Sequence, residues 1–282
     1  MSLAALAEDH GLHRVGARPP FFAYLKQAWQ RRDFITAMAG YRLRADLEGN
    51  RLGILWLLLQ PVLNAVIYGI IFGVLQSSAT RGEDYAARVV IGVFLWQFFA
   101  KSLTQGAKSI TGNQSLVQSL VFPRLTLPVA EVIEQFLSLL PSMGLLVVLL
   151  PFMGHPPTWS WLGMIPLLFL FTLFNTGVAL IAARLTVHVQ DLSQLLPYLS
   201  RILFYTSGVL FDVSKIFKAH PAVMQLYDFY PLYQVLQMAR SSLMGGFSYD
   251  PMYWLYFSIW SVVTFVVGLL FFWAAEERYG RD

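Results

Sequence analysis

The chain of 282 residues is 56% hydrophobic and only 13% charged, with a formal net charge of +4 and no cysteine. Soluble domains run about 45–50% apolar and about 25% charged, so this composition belongs to an integral membrane protein. Without cysteine, disulfides, thiolate metal sites and cysteine nucleophiles are all excluded.

Residues 1–53 are polar and hold eight basic side chains: Arg14, Arg18, Lys26, Arg31, Arg32, Arg42, Arg44 and Arg51. A basic flank beside a first span marks the cytoplasmic side of the membrane. No apolar core with a small-residue cleavage site is found in this stretch, so a signal peptide is not expected. Within FFAYLKQAWQRRDFI (21–35), Phe21, Phe22, Leu25, Ala28 and Trp29 recur at helical spacing. Lys26, Gln27, Gln30 and Arg31 take the other face. That pattern predicts an amphipathic helix lying in the membrane interface, with packing against a partner as the other reading.

Six apolar runs follow, at about 54–75, 89–110, 128–152, 161–183, 192–211 and 252–275. Each is near the roughly 20 residues that a crossing helix needs. The expected fold is all-α: one membrane domain of six spans preceded by the interfacial helix. The even count puts both termini in the cytoplasm, including the tail 276–282, where Glu276 and Glu277 read as an exposed charged end. Pro61 sits inside the first run and requires neighbours to satisfy the carbonyl it frees. The second run has a polar half, AKSLTQGAKSI, which must face protein or a watery cavity. The stretch 212–250 predicts two short external helices separated at Tyr230-Pro231, with a further break at Gly245-Gly246.

Between the second and third runs lies SLVFPRLTLPVAEVIEQF (119–136). Pro123 and Pro128 stop the flanking helices from running through it. Leu120, Val121 and Phe122 offer an apolar knob, and Arg124 a charge-assisted hydrogen bond. The element reads either as a docking stub or as a helix on the membrane surface.

Catalytic chemistry is not visible. There is no phosphate loop, since GAKS at 106–109 lacks the Gly-Lys step. The histidines (His10, His13, His155, His188, His220) lack ligand spacing, so no metal site is expected. The absence of a paired-carboxylate motif in a cytoplasmic loop weighs against a membrane enzyme of glycan assembly. No nucleic-acid partner is expected.

Three stretches are together more specific: YRLRADLEGNRLGILWLLLQPVLNAVIYGIIF (41–72), NQSLVQSLVFPRLTLP (113–128) and VQDLSQLLPYLSRILFYTSGVLFDVSKI (189–216). In this order they resemble the permease subunit of ABC-2 type polysaccharide exporters, the family that moves O-antigen, teichoic acid or cell-wall galactan type lipid-linked glycans. The chain departs from the family pattern at Ala45-Asp46-Leu47-Glu48 and at Gln190-Asp191. The resemblance implies a plasma (bacterial inner) membrane permease that forms a homodimer and works with two copies of a separate ATPase, which holds ATP and Mg; this chain binds no cofactor. It implies that Leu120, Val121, Phe122, Pro123 and Arg124 form a coupling helix for that ATPase. It also implies re-entrant gate helices between the fifth and sixth spans.

In the same light Trp56, Tyr68, Phe204, Tyr205 and Phe211 are candidates to line a sugar conduit. Arg201 falls near mid-membrane, where an arginine is a functional candidate by default. It would contact the diphosphate of a lipid carrier or polymer hydroxyls, or else pair structurally with Glu131 or Glu134. The alternative within the family is a permease for a small molecule such as a drug or haem.

Overall fold

The structure, a computed structural model, describes residues 19–48, 52–53, 55–75, 84–120, 122–217, 220–247 and 249–276. Its elements are α1 (Phe21–Gln30), α2 (Arg32–Glu48), α3 (Leu55–Leu75), α4 (Tyr85–Lys108), α5 (Gln114–Ser119) and α6 (Thr126–Phe152). These are followed by α7 (Met164–His188), α8 (Leu192–Thr206), α9 (Val213–Ile216), α10 (Pro221–Asp228), α11 (Pro231–Leu243) and α12 (Met252–Trp273). Among the described residues there is no strand. The chain is all-helical.

Among the described residues, four helical segments are long and apolar enough to cross a membrane: Tyr85–Lys108, Thr126–Phe152, Trp159–His188 and Met252–Trp273. At about 1.5 Å per residue, each exceeds the roughly 30 Å hydrocarbon core. A shorter apolar helix, Leu55–Ile71, lies within α3. Helix α8 has 15 residues and ends at Thr206, short of the expected Phe211. The cause is Gly208, whose φ of +78° turns the chain and whose missing side chain admits Val213. Any Cβ there would lie 2.8 Å from a Val213 methyl.

Helix α4 is the centre of the bundle, with neighbours α3, α6, α7, α8 and α11 around it. Its polar half behaves as its composition demands: Ser102, Gly106 and Ala107 are buried against protein, and Lys101 and Gln105 face a cavity. Helices α7 and α12 approach closely through small residues, as membrane helices do. A Cβ on Gly177 would stand 2.5 Å from the Thr264 carbonyl, and one on Gly268 would stand 2.5 Å from the Gly177 carbonyl oxygen. Helix α7 continues to His188, beyond the expected end at 183, and Arg184 in its last turns donates to the Phe271 carbonyl of α12.

On the far side, α10 and α11 each begin with proline at the first helical position, where its missing N–H costs nothing. The break between them falls at Phe229-Tyr230, beside the expected Tyr230-Pro231. Helix α11 is no loose cap: Leu232 to Arg240 are all buried, against α4, α7 and α12.

Candidate coupling surface and conduit

The segment between α4 and α6 is organised by a buried carboxylate. Glu276, expected as an exposed tail, is only 5% exposed. Its Oε2 accepts the Tyr24 hydroxyl at 2.7 Å, and its Oε1 accepts the Arg124 backbone N–H at 3.1 Å. The Arg124 guanidinium donates to the Glu276 carbonyl at 2.6 Å and lies 3.7 Å from the carboxylate. The Leu125 N–H donates to the Tyr24 hydroxyl at 3.0 Å, closing the cluster. Burial pushes the Glu276 carboxyl above its ordinary value, although the Arg124 N–H, the Tyr24 hydroxyl and the Arg124 charge pull against it.

The cluster joins three elements distant in sequence: α1, the proline-framed segment and the end of α12. Helix α1 is fastened to the same place by Trp273, whose indole N–H donates to the Pro19 carbonyl at 2.9 Å and whose ring meets Phe21 at 5.4 Å. Tyr24 and Ala28 form the buried face of α1, whereas Phe22 and Trp29, expected on that same apolar face, are 83% and 69% exposed. Exposed aromatics on an amphipathic helix suit contact with lipid.

The sequence-predicted docking residues therefore divide. Leu120 is 53% exposed. Phe122 is half-buried against Phe34 of α2, ring centroids 5.8 Å apart, and Pro123 is buried. Arg124 is already engaged within the chain. Val121 lies outside the described residues. The residues left exposed here are Gln114, Ser115, Gln118 and Ser119 of α5 together with Leu120, while Val117 anchors α5 inward.

Next to it, α2, α3, α4 and α6 enclose a polar cavity of about 600 Å³ whose lining includes Trp56, Gln60, Lys101, Gln105, Glu131 and Glu134. Arg42 of α2 pairs here with Glu131 and donates to Asn113 Oδ1 at 3.1 Å, tying the ends of α4 and α6 together. Glu134 is buried and accepts the Gln135 amide at 3.3 Å. Neither carboxylate pairs with Arg201. Arg42, from the unanticipated helix α2, holds Glu131, and Gln135 donates to Glu134.

Arg201 is instead exposed on α8. Gln194, Tyr198, Arg201 and Tyr205 are all exposed at spacings that place them on one face of that helix. The other conduit candidates scatter. Phe204 is buried, with its ring 4.9 Å from Tyr68 of α3 and 5.4 Å from Trp96 of α4. Phe211 is half-buried, and Trp56 is 39% exposed at the cavity. Sequence reasoning missed Tyr198, although its spacing from Arg201 and Tyr205 was readable.

The turn after α8 is held from outside. Buried Arg240 of α11 donates to the Gly208 and Val209 carbonyls at 2.9 and 3.0 Å. Arg88 of α4 pairs with Asp212 at 2.7 Å, and Ser214 donates to the same carboxylate at 2.6 Å. Burial alone would raise the Asp212 carboxyl, but Ser214 and Arg88 outweigh it and hold it below its ordinary value.

Comparison with known proteins matches the family described as ABC-2 type transporter over residues 36–244. An O-antigen export system permease protein RfbA of Klebsiella pneumoniae is 27% identical over 251 residues, 88% of this chain and 94% of that protein. An O-antigen export system permease protein RfbA of Myxococcus xanthus is 26% identical over 68% of this chain and 73% of its own length. The polysialic acid transport protein KpsM of Escherichia coli is 21% identical over 86% of this chain and 93% of its own length.

Proposed function

We propose, since this chain belongs to the ABC-2 type transporter family, that it is the membrane permease subunit of an ATP-driven polysaccharide exporter. Its relatives named for O-antigen export and polysialic acid transport support a glycan cargo. The observation that carries the reading is the exposed face of α8. An arginine and two tyrosines share one exposed face of α8, and an arginine exposed along a crossing helix calls for a polar neighbour in the membrane. A sugar chain between two copies of the protein supplies one: tyrosine faces stack on ring C–H groups, and Arg201 binds hydroxyls or a carrier phosphate.

In this reading α3 and α8 are the two further crossings, making six per protomer, and the α8 faces of a homodimer line the passage. A symmetric pair is the simplest closed arrangement that gives one central path. The cargo is lipid-linked and leaves the cytoplasm through the inner membrane, with both termini inside. Helices α10 and α11 form the external gate, set by the grip of Arg240 and Arg88 on the α8 turn. Two ATPase subunits carrying ATP and Mg dock on α5 and Leu120. Arg124 and Phe122 do not reach the partner; they pass its motion to α1, α2 and α12.

The test is export in cells that depend on this chain. The triple change Tyr198→Ala, Arg201→Ala, Tyr205→Ala should leave the protein folded and membrane-inserted while lipid-linked glycan accumulates in the cytoplasmic leaflet. Wild-type surface glycan in that variant would remove α8 from the passage.

A further inference from the structure

A second, chemically different cavity lies beside the coupling cluster. It has a volume of about 820 Å³ and runs under α1 and α2, against α6, α7 and α12. Its walls are hydrocarbon, with Leu25, Ile35, Val129, Ile133, Phe169 and Leu269 among them. Three threonines also line it, but none asks for a polar ligand. Thr172 donates to the Leu168 carbonyl at 2.7 Å, Thr176 to the Thr172 carbonyl at 2.8 Å, and Thr36 to the Asp33 carbonyl at 3.1 Å. Water or sugar would find no partner inside, whereas a hydrocarbon chain would strand no polar group.

The charged lining residues are Lys26 and Arg32, both exposed and both basic. Arg32 lies with its guanidinium 5.7 Å from the centre of the Trp29 ring and in a loose 3.8 Å contact with Asp33, whose side chain is 94% exposed. A dry interior beside two cations matches an amphiphile with an anionic head. We infer that this groove is a binding site for an anionic glycerophospholipid of the cytoplasmic leaflet, its acyl chain under α1 and α2 and its phosphate at Lys26 and Arg32.

The site touches the coupling cluster from both sides. Leu125 in its wall is the residue whose N–H meets Tyr24, and Leu269 lies about one turn of α12 before Trp273. An occupied groove therefore braces α1 against α6 and α12, and the lipid becomes part of the coupling element. The inference goes beyond the export reading, because it requires neither glycan nor ATPase.

Native mass spectrometry on the full purified chain tests it without either. The detergent-solubilised protein is titrated with phosphatidylglycerol, phosphatidylcholine or a polyprenyl monophosphate. Phosphatidylglycerol should bind roughly 30-fold more tightly than phosphatidylcholine, the product of two basic groups acting at a membrane surface. Lys26→Gln with Arg32→Gln, a surface change that should leave the unfolding temperature alone, should abolish that preference while neutral lipid still binds. Ile133→Trp, which fills the groove, should weaken both lipids. Equal affinity of the two lipids for the wild-type chain, or a preference that survives the double charge change, would overturn the site. Displacement of phosphatidylglycerol by equimolar polyprenyl phosphate would overturn the choice of occupant.

Discussion

Replacing Tyr24 by Phe removes one oxygen and leaves the ring, so it isolates the hydroxyl at the centre of the Tyr24–Arg124–Glu276 cluster. That hydroxyl donates to Glu276 at 2.7 Å and accepts from the Leu125 N–H at 3.0 Å, and the side chain is 1% exposed. A hydrogen bond to a charged group is worth about 1.5–3 kcal/mol, and a stranded buried N–H costs about 1–3 kcal/mol. The two losses share one atom and will not add fully, so about 3 kcal/mol is expected. For a chain of this size that corresponds to a fall of about 6–12 °C in unfolding temperature. The assay is thermal unfolding in detergent, paired with stimulation of the partner ATPase by the reconstituted permease. Tyr24→Phe should lower both, and Tyr24→Phe combined with Glu276→Gln should cost less than the sum of the single changes. Unfolding and stimulation indistinguishable from wild type would show that the cluster neither holds α1 nor transmits anything.

Other outcomes follow from the same geometry. Gly177→Ala or Gly268→Ala forces a methyl onto backbone atoms at 2.5 Å, which cannot give way as a side-chain tip can; each should cost about 1–3 kcal/mol or more, read as a lower unfolding temperature. Phe122→Ala with Arg124→Ala should impair ATPase stimulation, and because both residues are engaged internally it should also reduce thermal stability; normal stability with lost stimulation would place them at the partner instead. Leu120→Asp, by contrast, should weaken binding of the ATPase in a pull-down and leave unfolding unchanged, since Leu120 is exposed. The raised Glu276 carboxyl has a pH signature: the folded state holds its proton more tightly, so that contribution to stability is full at low pH and is lost as pH rises above the ordinary value of 4.5. Unfolding temperatures of wild type and Glu276→Gln should therefore diverge as pH rises from 4.5, with the wild type losing ground; parallel curves would contradict the burial argument.

The membrane class was legible because composition and run length state it directly. The polar half of α4 was legible for a related reason: its polar residues disfavour lipid, so they had to face protein or a watery cavity, and both occur. The break before α11 was announced by Pro231, since proline is favoured at the first helical position. The coupling cluster was not legible. Tyr24 and Glu276 are 252 positions apart, and an acid just after a terminal apolar run looks like a solvated tail until another element folds over it. Arg42 hid in the same way, as one of many cytoplasmic basic residues with nothing in the pattern to aim it at Glu131. The end of α8 turned on one glycine, Gly208, whose positive φ is a tertiary requirement that periodicity does not register.

The central claim is that the chain is a passage worked by a separate ATPase. Proteoliposomes containing the purified permease, with and without that partner, and loaded with lipid-linked glycan, test it most directly. ATP should be hydrolysed and glycan translocated only when both subunits are present. Hydrolysis or uphill translocation by the permease alone would contradict the account.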